Sequence, residues 1–211
     1  EQKPLPAVPV ELSTITKELW QGTVFMNEQF TRENLIGQRQ SYPYEIIHLA
    51  THGEFYPGGP DKSFIYMWGQ EKLRLDQLRE LKWNDPPVEL LILSACRTAL
   101  GDEQAEMGFA GLAVQAGVKS ALASLWSVSD EGTLALMTEF YSHLQNAKIK
   151  SEALRQAQIA MIRGEVAVTD GSLRGNGLGV VTLPSASAGG GNHDLSHPYY
   201  WAGFTMIGSP W

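Results

Sequence analysis

His52 closes the stretch "EIIHLATH" and Cys96 closes "VELLILSAC". Each follows a short, nearly continuous apolar run, the pattern of a strand buried in a parallel sheet. In open α/β sheets, ligands meet the carboxyl ends of the strands. If the two runs are neighbouring strands, an imidazole and a thiol emerge at one edge. That pair is the minimum for nucleophilic acyl transfer. The base takes the thiol proton, and the thiolate attacks a carbonyl carbon. Gly53 lets the backbone approach closely and could offer its amide to the developing oxyanion, and the amide of Cys96 could be a second donor. Cys96 is the chain's one cysteine. A lone cysteine is most often a small buried side chain, so its place at the end of a strand is what marks it.

The elements that must hold these residues read as an α/β domain. "VELLILSA" is the strongest strand signal, and "EIIHLA" suits a strand buried on both faces. "SFIYMW" and "KLRL" read as short strands with Gly69 as the turn between them. "KSALASLW" is a third buried strand, and "GFTMIG" is the last one. Phe109, Leu112, Ala113 and Ala116 share one helical face, with Gly117 at its end. Leu134, Met137, Tyr141 and Leu144 share another, capped by Ser129 or Asp130. "SEALRQAQIAMIRG" is a helix capped by Ser151 and stopped by Gly164. "FTRENLIG" is a helix opened by Thr31 and closed by Gly37, a short helix lies near Leu12 to Leu19, and Asp76 caps a helical turn to Leu81. "TVFM" reads as a strand. The order predicts a mostly parallel sheet with helices on both faces. Residues 1–40 read as a lead-in with the first elements, and 41–211 as the core. Within the core, 164–194 is glycine- and serine-rich without a sustained period, and reads as a mobile loop bordering the active edge.

Composition narrows the function. The chain has 211 residues and a net charge of −7, with no cluster of lysine or arginine. That argues against nucleic acid or an anionic membrane as the main partner. No apolar run approaches a bilayer span. A single cysteine fits a cytoplasmic setting. The start "EQKPLPAVPVEL" has no initiator Met and no signal-peptide core, so the chain reads as a piece of a longer protein. His48/His52 and His193/His197 are spaced i, i+4, but no Glu follows His48 as the zincin motif needs. On a strand that spacing spans about 13 Å, too far for one ion at about 2 Å. A metal-dependent hydrolase is therefore weakly supported. His48 reads as a satisfied core histidine, His143 as a solvated helix residue, Arg97 as surface or paired, and Tyr199 to Trp201 as core. Glu54 either orients His52 or faces water.

Longer blocks carry a family resemblance: "HLATHGEF", "LLILSACRTALGD", "GFAGLAVQAGVKSALASLW" and "SHPYYWAGFTMIG". With them the chain resembles the CHAT domain of the caspase–separase peptidase group, most of all bacterial, cyanobacterial-type CHAT domains joined to tetratricopeptide repeats. Caspases set their cysteine in Q-A-C-[RQG]-G with the histidine about 50 residues upstream. Here His52 precedes Cys96 by 44 positions, and only Ala95-Cys96-Arg97 matches the local text. The resemblance implies a caspase-like fold whose first strands lie upstream of Glu1, and a His52–Cys96 dyad. It also implies a protein or peptide substrate, fused or partner tetratricopeptide repeats, and no organic cofactor. In separases, a block like "LWSVSD" lies in the pocket for a substrate arginine. By that resemblance Asp130 would face a basic residue before the scissile bond, with Trp126 as a wall. A helix cap is the competing role of Asp130. The rival to a peptidase is a silent CHAT-type interaction module on the same fold.

Overall fold

The computed structural model describes residues 4–56, 59–94, 103–175, 179–184 and 191–211. In chain order the α-helices are α1 (Val8–Thr14), α2 (Arg32–Ser41), α3 (Glu103–Gln115), α4 (Asp130–Leu144) and α5 (Lys150–Ile162). The strands are β1 (Ile46–Leu49), β2 (Gly53–Glu54), β3 (Phe64–Tyr66), β4 (Lys72–Arg74), β5 (Leu90–Leu93), β6 (Ser120–Ser124), β7 (Ala167–Thr169), β8 (Ser172–Gly175), β9 (Gly179–Thr182), β10 (His193–Asp194) and β11 (Phe204–Gly208). Compactness divides the chain into two units. One holds Phe25–Ser127 with Phe204–Pro210, and the other Glu1–Val24, Val128–Gly203 and Trp211. The lead-in of residues 1–40 is thus shared between them. No described helix is long and apolar enough to cross a membrane.

The first unit is built on a mixed sheet of order β1-β5-β6-β11. β1, β5 and β6 are parallel, and β11 closes the sheet antiparallel to β6. Every residue of β5 and β6 is buried, the two serines that bound β6 included, as a central parallel strand requires. β1 instead alternates, with Ile47 and Leu49 inside and Ile46 and His48 half-buried. Among the described residues it has one neighbour in the sheet rather than two, and its apolar run is not sealed on both faces. A second sheet, β2-β3-β4, is antiparallel. Its inner face carries Ile65 and Leu73, both fully buried, into a core with Phe55, Trp83, Leu91, Phe109 and Ala121. Gly69, at φ +67°, turns the chain between β3 and β4 as expected.

Local details depart from the sequence reading where backbone chemistry competes. Thr31 caps α2, accepting the Asn34 N–H at 3.1 Å, but the helix runs past Gly37 to Ser41. It stops where Tyr42 precedes Pro43, a position that disfavours helical backbone. Residues 23–26 form no strand. The turn to Leu81 is a 3-10 helix, Leu75–Leu81, with Arg74 at the cap position. Asp76 bonds the Arg74 guanidinium instead, at 2.9 Å.

In the second unit α4 packs against α1 and α5. Residues from Gly132 to Tyr141 are all buried, so α4 is a central helix rather than an amphipathic surface one. Ser129 is its cap, accepting the Gly132 N–H at 3.1 Å. Asp130 is the first helical residue. α5 begins at Lys150, with Ile149 and not Ser151 at the cap position. Much of the described part of 164–194 is sheet rather than loop. It folds as an antiparallel sheet of order β10-β7-β8-β9. Thr169 pairs with Ser172 across Asp170-Gly171, whose φ values are +51° and +69°. Asp-Gly with both residues in the left-handed region is the type I′ hairpin turn. The strands have only two to four residues each, too short to display a period between the glycines.

Candidate active site

The register of the main sheet sets the geometry. Ile46 lies opposite Leu90 and Leu49 opposite Leu93, while Leu93 lies opposite Ala123. Because β1, β5 and β6 run parallel, all three leave the sheet at the same edge. His52 comes three residues after Leu49, and Cys96 stands three after Leu93 in the sequence. Pairing continues one step beyond the strands, where Ser94 N–H donates to Leu49 C=O at 3.1 Å. Cys96 and Arg97 lie outside the described residues. At the third exit, Ser124 Oγ donates to Trp126 C=O at 2.6 Å and accepts the Trp126 N–H at 3.4 Å. That tight turn leaves Trp126 half-buried at the same edge.

A model of the CHAT domain family matches residues 1–209. The chain belongs to the CHAT domain family. The family is a caspase-like peptidase group, and the mixed sheet with its surrounding helices is the α/β, caspase-like architecture expected of it. No curated protein matches the chain.

In this CHAT domain His52 is half-buried, between β1 and β2. Its segment is held by β3. Tyr66 N–H donates to His52 C=O at 2.9 Å, and Thr51 Oγ1 donates to Tyr66 C=O at 2.8 Å. The first of these bonds has a consequence for Gly53. It makes Gly53 and Ile65 a non-hydrogen-bonded pair of the ladder, so the Gly53 N–H points away from β3. Gly53 is itself buried. A Cβ there would lie 2.8 and 2.9 Å from two ring atoms of Phe55, so glycine is required for β2 to pass over that ring.

Glu54 does not simply face water. Its carboxylate accepts the Tyr56 hydroxyl at 2.6 Å and the Tyr66 hydroxyl at 2.7 Å. The bond to Glu54 holds the Tyr56 phenol above its ordinary pKa. Tyr66 stacks edge-on with Phe64 at 5.2 Å, and the Lys72 ammonium lies 3.9 Å from the Phe64 ring centre. Sequence reasoning missed Tyr56 and Tyr66. The available signal was the alternation of "FIY": its aromatic residues share the face of Glu54 once β2 and β3 pair.

The remaining candidates lie on other elements. Asp130 stands in the first turn of α4, in the second unit, where a carboxylate is favoured by the helix N-terminus. His48 lies in β1 opposite Ile92. His197 Nδ1 accepts the Tyr199 N–H at 3.2 Å. His143 is not simply solvated, since its Nε2 lies 3.7 Å from the buried Glu139 carboxylate. Tyr199 is exposed rather than core. Among the described residues no group of three or more His, Cys, Asp or Glu could hold a metal ion.

Proposed function

We propose that this CHAT domain is a cysteine endopeptidase using His52 and Cys96 as a dyad. The observation that carries the reading is the shared exit of β1 and β5, parallel and in register, with His52 and Cys96 each three residues along the sequence beyond Leu49 and Leu93. His52 takes the proton of the Cys96 thiol, and the thiolate attacks the scissile carbonyl. The Gly53 amide, turned away from β3, and the Cys96 amide receive the oxyanion. His52 then gives its proton to the leaving amine, and water attacks the thioester with His52 as base. Asp130 supplies the counter-charge to a basic residue before the scissile bond, since a desolvated guanidinium needs a carboxylate. Trp126 walls the substrate. Regulation comes from segments beyond this chain, among them tetratricopeptide repeats, in a cytoplasmic protein.

A fluorogenic peptide library tests the reading. Cleavage should favour Arg before the scissile bond. Cys96→Ala and His52→Ala should each fall by several powers of ten. Asp130→Asn should lose the Arg preference at similar thermal stability, because Asn keeps the side-chain shape and removes the charge. Residual turnover above about a tenth of wild type in either dyad variant would end the assignment, since a dyad acts as a unit. Equal cleavage after Leu or Met would end the specificity. No cleavage of any peptide, with partner binding intact, would favour the silent interaction module.

A further inference from the structure

Tyr66 holds the His52 segment at both of its ends. Its main chain bonds His52 and Thr51, and its hydroxyl is tied back to Glu54. Residues 51 to 54 and Tyr66 therefore form a closed ring of bonds, part backbone and part side chain. The base of this ring is firm. β3 and β4 seat Ile65 and Leu73 in the core with no exposure. Phe55, packed beneath Gly53, is likewise buried. Tyr56 occupies the second carboxylate oxygen of Glu54 and so fixes its rotation.

We propose that Glu54 is a positioning residue for His52, acting through Tyr66, with Tyr56 setting the carboxylate. The proposal rests on His52 being the general base. A base must stay within about 2.6–3.2 Å of the proton it removes, and a displacement of about 1 Å costs on the order of a hundredfold in rate. Residues 50 to 52 lie between two strands and belong to neither. The bonds to Tyr66 are among those that hold them. Hydrogen bonds to an ionised carboxylate are roughly twice as strong as neutral ones, so Glu54 is a suitable anchor for the ring of Tyr66.

The test is the rate at which a peptidyl electrophile modifies Cys96, followed from about pH 5 to about pH 9, spanning the ordinary thiol range. The proteins are wild type, Tyr66→Phe, Glu54→Ala and Glu54→Gln, each with its melting temperature. Wild type should react well below the ordinary thiol pKa of about 8.5. Tyr66→Phe and Glu54→Ala should slow the reaction ten- to a hundredfold at neutral pH, roughly the cost of a misplaced base. Their acid limb should move up toward the ordinary thiol range. Glu54→Gln, which keeps one acceptor for a phenol, should recover part of the rate. A Tyr66→Phe protein with wild-type rate and limb overturns the proposal. So does a slowed rate with an unmoved limb, the mark of a merely structural role. If Glu54→Ala does not fold, Tyr66→Phe decides, because it removes one oxygen and leaves both main-chain bonds. An ordinary thiol profile in wild type, unchanged by His52→Ala, overturns the dyad itself and the proposal with it.

Discussion

Gly53→Ala separates packing from positioning at the centre of this site. The new methyl carbon would lie 2.8 Å from Phe55 Cε2, 2.9 Å from Cζ and 3.4 Å from Ile65 Cγ2. Carbon atoms prefer about 3.5–4.0 Å, so something must yield by roughly 0.7 Å. Phe55 has little freedom to do so. It is 1% exposed and packs edge-on against Phe109 at 6.3 Å. Overpacking of this kind costs about 1–3 kcal/mol, and the restricted unfolded chain returns about 0.4–1 kcal/mol. The net loss is up to about 2.6 kcal/mol, which for a chain of this size lowers the melting temperature by up to roughly 10 °C. If β2 moves instead of the ring, His52 moves with it, and peptide cleavage should drop by up to about a hundredfold. Gly37→Ala is the control. Its Cβ meets nothing within 4 Å in the middle of α2, so it should stabilise by about 1 kcal/mol and leave cleavage unchanged. A Gly53→Ala protein that melts at or above wild type and cleaves at the wild-type rate would refute the close-packing argument.

Three further outcomes follow from the same contacts. Ser129→Ala removes the side-chain acceptor for the Gly132 N–H and should cost about 1 kcal/mol in thermal or urea unfolding, with Asp130→Asn much less affected. Arg39→Met strips the donor from the carbonyls of Leu81, Lys82 and Pro86 and the cation from the face of Trp83. Leaving the buried Leu81 carbonyl without this partner, and the part-buried Lys82 and Pro86 carbonyls to water, should cost about 1–3 kcal/mol, read as a fall in the denaturation midpoint. Bonds from Arg155 and Gln156 hold the Glu152 carboxyl down at about 2, against an ordinary 4.5. A depressed folded pKa stabilises above the ordinary value and is lost as pH falls toward the folded one. The melting-temperature gap between wild type and Glu152→Gln should therefore be constant above about pH 5 and close on acidification below it. A gap that widens there contradicts the pairing.

The parts of the fold legible in the sequence are those that one element's own text determines. β5 and β6 announced themselves because both faces are buried and their polar residues, Ser120 and Ser124, stand only at the two ends of β6. Thr31 and Ser129 were legible because capping needs only a short side chain at a helix start. Tertiary context decided the rest. β1 has a half-buried face that its apolar text does not announce. The β7–β8 hairpin was readable in Asp170-Gly171, and the surrounding glycines hid it. At the candidate site, the strand ends carrying His52 and Cys96 could be read along the chain. The tie from Glu54 to Tyr66 could not, because it joins residues 12 apart in sequence that meet only when β2 pairs with β3.

The central claim is that His52 activates Cys96 as a nucleophile. Its most direct test is covalent modification by a peptidyl electrophile with Arg at the position before the reactive group, followed by peptide mass mapping. In wild type the adduct should sit on the peptide containing Cys96. His52→Ala should form it at least about a hundredfold more slowly at neutral pH, the scale expected for one member of a catalytic unit. Equal rates of modification in wild type and His52→Ala would contradict the account.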